Sequence, residues 1–317
     1  MSTSHSTLVG GSYAKRLYGA SSEILSRLER KSWAFILLLL VPLTYLVLVY
    51  GLPILILIAR SLFSYNPVTG ITGGFTLNNY WHFLRDPAYL NVLWSSLRIG
   101  LLVTILDLVI GYPVAYLLAR ISGTKKQILM ACIVSPLLVS IVIRTFSWEV
   151  LLRGSGPVSH ILMAIQIIRE PLRVLNTETA VIIALVHVYL PFMILPLATV
   201  IESIDPTLEL AAGSLGANNL RRFIEVVFPL SIPGVAAGCM LVLTTSVSAY
   251  VTPAMLSGGT FLVMPTLVAQ QMQVLVDWSF GSAISVVLIV VVLTIVALFS
   301  WWAESASKYR TAGRVAK

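Results

Sequence analysis

Long apolar runs separated by short polar connections set the pattern of this chain. Ser32 to Ala59 carries no charge. Leu93 to Ala119 is apolar around Arg98 and Asp107, and Gln127 to Trp148 is apolar around Arg144. Thr179 to Ile201 is free of Asp, Glu, Lys and Arg. Val226 to Leu256 and Gly281 to Ala303 are uncharged. Each run is as long as the ~20 residues that a membrane-crossing helix needs. The pattern predicts an all-α integral membrane protein with six transmembrane helices, over about 32–59, 93–119, 127–148, 179–201, 226–256 and 281–303. The first run is longer than a bilayer requires, so it must tilt, kink or project, and Pro42 and Pro53 offer kink points.

The polar stretch 202–225, between the fourth and fifth runs, has the signals of two short helices joined by a glycine turn. Asp205 is a suitable N-cap, and Pro206 suits the first helical position, where a missing N–H costs nothing. Glu209 falls where the helix dipole favours an acid. Gly216 suits the left-handed residue that ends a helix. Asn218 caps a second helix that is expected to run to Pro229.

Composition and charge fix the solvent and the orientation. Of 317 residues, 57% are hydrophobic and 11% charged, against about 25% charged in soluble domains. With both ends inside, the cytoplasmic segments hold Lys15, Arg16, Arg27, Arg30, Lys31, Arg120, Lys125, Lys126, Arg221, Arg222, Lys308, Arg310, Arg314 and Lys317, most of the 21 Lys and Arg. That bias predicts both termini in the cytoplasm. It also accounts for the net charge of +8 through contact with anionic lipid, with no nucleic-acid partner. Residues 1–31 form a cytoplasmic tail, either an amphipathic helix on the inner leaflet or a solvated basic segment. Residues 32–303 form the membrane domain, and 304–317 a basic cytoplasmic tail. Cys132 and Cys239 both fall in predicted spans and read as small apolar fillers.

Along the chain, 61–91 opens with turn residues, Asn66-Pro67, Gly70 and Gly73-Gly74. It then turns aromatic through Tyr80, Trp81, Phe83 and Tyr89, as suits a headgroup interface. Asp107, Gly111 and Ala115 share one face of the second span, a stripe suited to close helix packing. Asp107 is read either as a structural partner, of Arg144 or of another subunit, or as a substrate contact. Arg98 is placed near the outer end, where it can snorkel. Arg144 and Trp148 are one turn apart, a spacing that allows stacking. His187 reads as a hydrogen-bonded interior residue. The hydroxyl-rich stretch Thr244 to Pro253, ending in Tyr250 and Pro253, predicts a broken or cavity-lining helix.

The chain has no GxxxxGK[ST], HExxH or GxSxG, and His5, His82, His160 and His187 lack metal-ligand spacing. A catalytic role, a resident cofactor and a metal site are therefore not expected. An ion-coupled secondary transporter is the rival class. It often shows inverted repeats and several charges deep in the spans; here there is no internal repeat, and Arg98, Asp107 and Arg144 are the only charges in spans.

The polar hairpin resembles the cytoplasmic loop of permease subunits of binding-protein-dependent ABC importers. The family pattern is Glu-Ala-Ala, three residues, Gly, then Pro thirteen residues later and a Pro-Gly. Here Ala211-Ala212 precede Gly216, Pro229 follows at that spacing, and Pro233-Gly234 comes next. The position of the family's Glu holds Leu210, and Glu209 sits one residue earlier. The stretch Ser248 to Gly259 is similar to the spermidine/putrescine (polyamine) subgroup, in which an acid often precedes the aromatic residue; here Ala249 stands before Tyr250.

The resemblance implies a type I importer (MetI-like) permease fold in the bacterial inner membrane. It implies two ATP-binding cassette subunits carrying ATP and Mg, a second permease subunit, identical or paralogous, and a periplasmic solute-binding protein. The solute would be polyamine-like, or a related amine, opine or aminophosphonate. Glu209, Ala211, Ala212, Gly213, Leu215 and Gly216 would meet an ATPase subunit, with Leu208 and Leu215 as anchors and Glu209 pairing a basic partner. Asp107, Glu149, Tyr189, Tyr250 and Thr252 are the candidates for the substrate path.

Overall fold

The computed structural model describes residues 32–66 and 71–315. The expected tail helix within 1–31 and the turn at Pro67 and Gly70 lie outside them. The chain divides into residues 1–59 and 60–317, and each part stands by itself.

In the first part, α1 (Ser32–Leu46) passes through a π turn (Val47–Gly51) into α2 (Leu52–Ser61). This helix is long and apolar enough to cross a membrane. The π turn has a local cause. A proline ring clashes with the carbonyl four residues back, and for Pro53 that is Val49, inside the wider turn.

The second part opens with an antiparallel pair, β1 (Phe63–Asn66) and β2 (Ile71–Phe75), and the amphipathic α3 (Asn78–Arg85). Next come α4 (Pro87–Arg120), α5 (Gly123–Val134), a 3-10 turn (Ser135–Leu138), α6 (Ile141–Leu152), α7 (Pro157–Ala164) and α8 (Glu178–Glu202). The polar α9 (Pro206–Ser214) and α10 (Asn219–Arg222) lead through a π turn (Phe223–Val227) into α11 (Phe228–Val247). The chain closes with α12 (Val251–Leu256), α13 (Met264–Ala269), a π turn (Gln270–Val274) and α14 (Trp278–Val315).

Among the described residues, five helices are long and apolar enough to cross a membrane. The bent pair within 123–164 supplies a sixth if it counts as one span. Two features differ from the expected layout. The third run is not one rod: its two helices meet at 95°, because Pro136 at the start of the 3-10 turn and the extended Val139 interrupt the helical ladder. The second arm of the polar hairpin does not end at Pro229. It runs on into α11, and the π turn again holds the carbonyl, that of Glu225, that the proline ring would strike.

The core is the packing of α4, α8 and α11 on one another. Met193, fully buried, sits where Gly111 of α4 and Gly238 of α11 come close; a Cβ on either would lie 3.1 Å and 2.7 Å from its side chain. Burying an apolar side chain of this size stabilises by roughly 1.5–3 kcal/mol. The α14 helix packs on α11, α13 and α3, and α6 packs on α8 and α12.

Candidate functional site

The polar hairpin is built by local rules. The Asp205 carboxylate accepts from the Thr207 backbone N–H at 2.9 Å, a bond that holds its pKa below the usual carboxylate value. The α9 helix ends at Gly216, whose φ of +88° lies in the left-handed region. Asn218 Oδ1 accepts from the Arg221 N–H at 2.8 Å and starts α10.

Glu209 is engaged within the chain. Tyr116 Oη donates to it at 2.8 Å, and Arg120 forms an ion pair with it. Arg120 Nη1 also donates to the Ile204 carbonyl at 3.2 Å. The Arg120 and Glu209 side chains are 19% and 15% exposed. Phe223, on the returning arm, meets Tyr112 edge-on at 5.2 Å, and the Tyr112 hydroxyl shares a 2.6 Å hydrogen bond with Ser231. Lys126 Nζ donates to Glu202 at 2.5 Å. The opposite side of the hairpin is open. Leu208, Leu210, Leu215 and Leu220 are exposed, Leu215 by 90%. Ala211 is exposed, Ala212 and Gly213 are half-buried, and the Arg222 side chain lies 3.6 Å from where a Gly213 Cβ would stand.

The five candidates for a substrate path stand in different surroundings. Asp107 is fully buried, and neither carboxylate oxygen has a hydrogen-bond partner among the described residues, so the expected pairing with Arg144 does not occur. Glu149 pairs with Arg153 at 2.9 Å. Tyr189 is buried beside Phe192. Thr252 shares a buried 3.1 Å hydrogen bond with Thr145, tying α12 to α6. Tyr250, 43% exposed at the break after α11, lines an open cavity of about 360 Å³ with Ser248, Met272, Gln273 and Ser285. None of the residues lining that cavity is charged. One further reading resolves differently from expectation: Trp148 Nε1 donates to His187 Nδ1 at 3.2 Å rather than stacking on Arg144. Arg98, half-exposed, pairs with Glu178 at the start of α8.

Sequence reasoning missed Tyr112, Tyr116 and Arg120. They stand at i, i+4 and i+8, one face of α4, and that face reaches Ser231, Glu209 and Phe223. Two tyrosines and an arginine at that spacing, beside the end of an apolar run, are the signal that was available. Cys132 is exposed and Cys239 buried, and they are not joined.

The sequence profile described as "Binding-protein-dependent transport system inner membrane component" matches residues 108–305. The chain is 34% identical over 256 residues to the spermidine/putrescine transport system permease protein PotB of Haemophilus influenzae, covering 81% of this chain and 89% of that one. It is equally similar, 34% over 260 residues, to PotB of Escherichia coli, with coverage of 82% and 94%. Its fold is similar to a chain in the crystal structure of a bacterial ABC transporter involved in the import of the acidic polysaccharide alginate. There the TM-score is 0.67 and the identity 16%, over 89% of this chain and 99% of that one. A chain of the inward-facing MetNI methionine ABC transporter gives a TM-score of 0.51 at 16% identity, over 74% and 99%.

Proposed function

From the premise that this chain belongs to the family of binding-protein-dependent transport system inner membrane components, we propose that its hairpin 202–225 is the grip for an ATP-binding cassette subunit and that its solute is a polyamine or a related small amine. The protein is a multi-pass bacterial inner-membrane permease of an ABC importer, not an enzyme. ATP and Mg belong to two partner ATPase subunits. A second permease subunit, identical or paralogous, supplies the other half of the path, and a periplasmic binding protein delivers the solute. Both termini lie in the cytoplasm with the hairpin.

The observation that carries the first part is the hairpin's two-sidedness. Its acid is turned onto α4, while Leu210, Leu215 and Leu220 stand exposed along the capped hairpin that joins two spans. Exposed leucines on a polar connection suit a protein partner. Exposed Ala211 allows close approach, and Gly216 sets the turn. Gly216→Val forces a β-branched residue to φ +88°. The variant is expected to insert yet to lose ATP hydrolysis stimulated by the binding protein.

The second part is supported by the Tyr250 cavity. A tyrosine face attracts a protonated amine, and the Ser248, Ser285 and Gln273 oxygens accept its hydrogens, with no side-chain cation to repel it. Of the five path candidates, Tyr250 is the one we place in contact with solute. Uptake of labelled spermidine and putrescine into vesicles holding the full transporter tests both parts. Uptake that needs ATP and the binding protein, and that persists when ionophores collapse the ion gradients, is the expected result. Uptake that follows an ion gradient without ATP contradicts it.

A further inference from the structure

The family assignment leaves the Tyr116–Arg120–Glu209 cluster without a role, and the cluster sits at one end of an unbroken helix. The hairpin is joined covalently to α8 and α11. Its connection to α4 is made by side chains distant in sequence: Tyr116 and Arg120 hold Glu209 and the Ile204 carbonyl, and Tyr112 and Tyr116 pack on Phe223. That connection is mostly removed from water, and both partners of Glu209 come from α4. At 3.6 residues per turn, moving an acid by one residue swings it by about 100°. With the acid at 209, the carboxylate faces α4 and Leu210 faces outward.

The far end of α4 has its own link. Ser96 Oγ accepts from the Met264 backbone N–H at 2.7 Å in a buried setting, and Met264 begins α13. Pro265, Val268 and Ala269 of α13, with Met272 and Gln273 just beyond it, line the Tyr250 cavity. From Arg120 to Ser96 the helix covers about 36 Å at ~1.5 Å per residue. It is continuous there, with Pro113 inside it.

We infer that α4 is a connecting rod: Tyr116 and Arg120 clasp Glu209 so that α4 follows the hairpin, and Ser96 passes the movement to α13 and the wall of the Tyr250 cavity. Tyr116, Arg120 and Ser96 are positioning residues in this arrangement. They act through Glu209 and Met264. The inference rests on the reading of the hairpin as the ATPase grip, and its test separates the two.

The test uses the complete transporter in nanodiscs, with Cys132→Ala and Cys239→Ala and spin labels at Leu117→Cys and Ser214→Cys. With the clasp intact, the distance between labels stays the same in the nucleotide-free and vanadate-trapped states. Arg120→Ala lengthens and broadens it on trapping, while the ATPase subunit still co-purifies. The exchange Arg120→Glu with Glu209→Arg restores the narrow distance. Tyr116→Phe, a gentler change, gives a partial broadening and serves if Arg120→Ala is poorly folded. Ser96→Ala keeps the narrow distance but lowers the stimulation of ATP hydrolysis by the binding protein about tenfold, the size of an ordinary coupling free energy. A distance that changes with the clasp intact, or one indifferent to both Arg120→Ala and Tyr116→Phe, overturns the clasp. Full stimulation in Ser96→Ala overturns the link to the cavity. Leu215→Asp tests the reading beneath: if that variant still holds the ATPase subunit, the hairpin is not the grip.

Discussion

Helix α4 carries one carboxylate in its middle and receives another at its end, and the two are treated in opposite ways. Glu209, brought to α4 by the hairpin, takes a hydrogen bond from Tyr116 and an ion pair from Arg120. Asp107, on α4 itself, is fully buried with both oxygens unpartnered among the described residues. A paired, hydrogen-bonded charge fixes the distance between two elements, and removing one partner is far more costly than the pair's net worth. An unpaired carboxyl in a helix core fixes nothing. It carries a cost of about 2.5–3.5 kcal/mol when charged at mid-membrane. The hairpin end of α4 is therefore built as a joint, and the middle as packing around a carboxyl group without a counter-charge.

Four substitutions or titrations sharpen that contrast. Arg120→Ala strands Glu209 in a site with little water, and a loss of about 3 kcal/mol is expected, read by thermal unfolding in detergent. Tyr116→Phe removes one hydrogen bond to a charged group and is expected to cost about 1.5–3 kcal/mol, read the same way. Asp107→Asn keeps shape and removes the charge, so a change within about 1 kcal/mol is expected. A large loss of stability there would contradict the reading of Asp107 as an unpaired carboxyl. The smallest effect belongs to Asp205. Its folded pKa is lowered by the Thr207 N–H, so its contribution is fully present above the unfolded value of ~3.9 and is lost as pH falls through the folded value. Acid titration followed by circular dichroism should show slight fraying of α9 below about pH 4 in the native chain and none of that step in Asp205→Asn.

Much of this was legible in the sequence, because helical membrane proteins declare their spans by composition and their short connections by capping chemistry. Asp205, Pro206, Gly216 and Asn218 mark α9 and the turn after it through rules that act within four residues. The break after Val247 was foreshadowed by Thr244 to Pro253. Two things were not legible. The third apolar run contains Pro136, but a proline in such a run signals either a kink or a break, and only packing against α8 and α12 selects the 95° turn. The partners of Glu209 and Asp107 were hidden because pairing in three dimensions ignores sequence distance. Glu209 suggested a partner on another subunit because a hairpin in water has no visible neighbour, and its neighbour is the end of a span 89 residues earlier. Arg144 looked available to Asp107 by depth, yet the bend in the third run turns α6 toward α8 and α12.

The most direct measurement is a double-mutant cycle on Arg120 and Glu209. Arg120→Ala, Glu209→Ala and the double variant are compared for the stimulation of ATP hydrolysis by the binding protein in the complete transporter. If the two residues act as one joint, the double variant loses no more than either single change. The coupling between them is then about 1 kcal/mol or more. Losses that simply multiply, as for independent sites, contradict the joint and return Glu209 to the role of a separate contact.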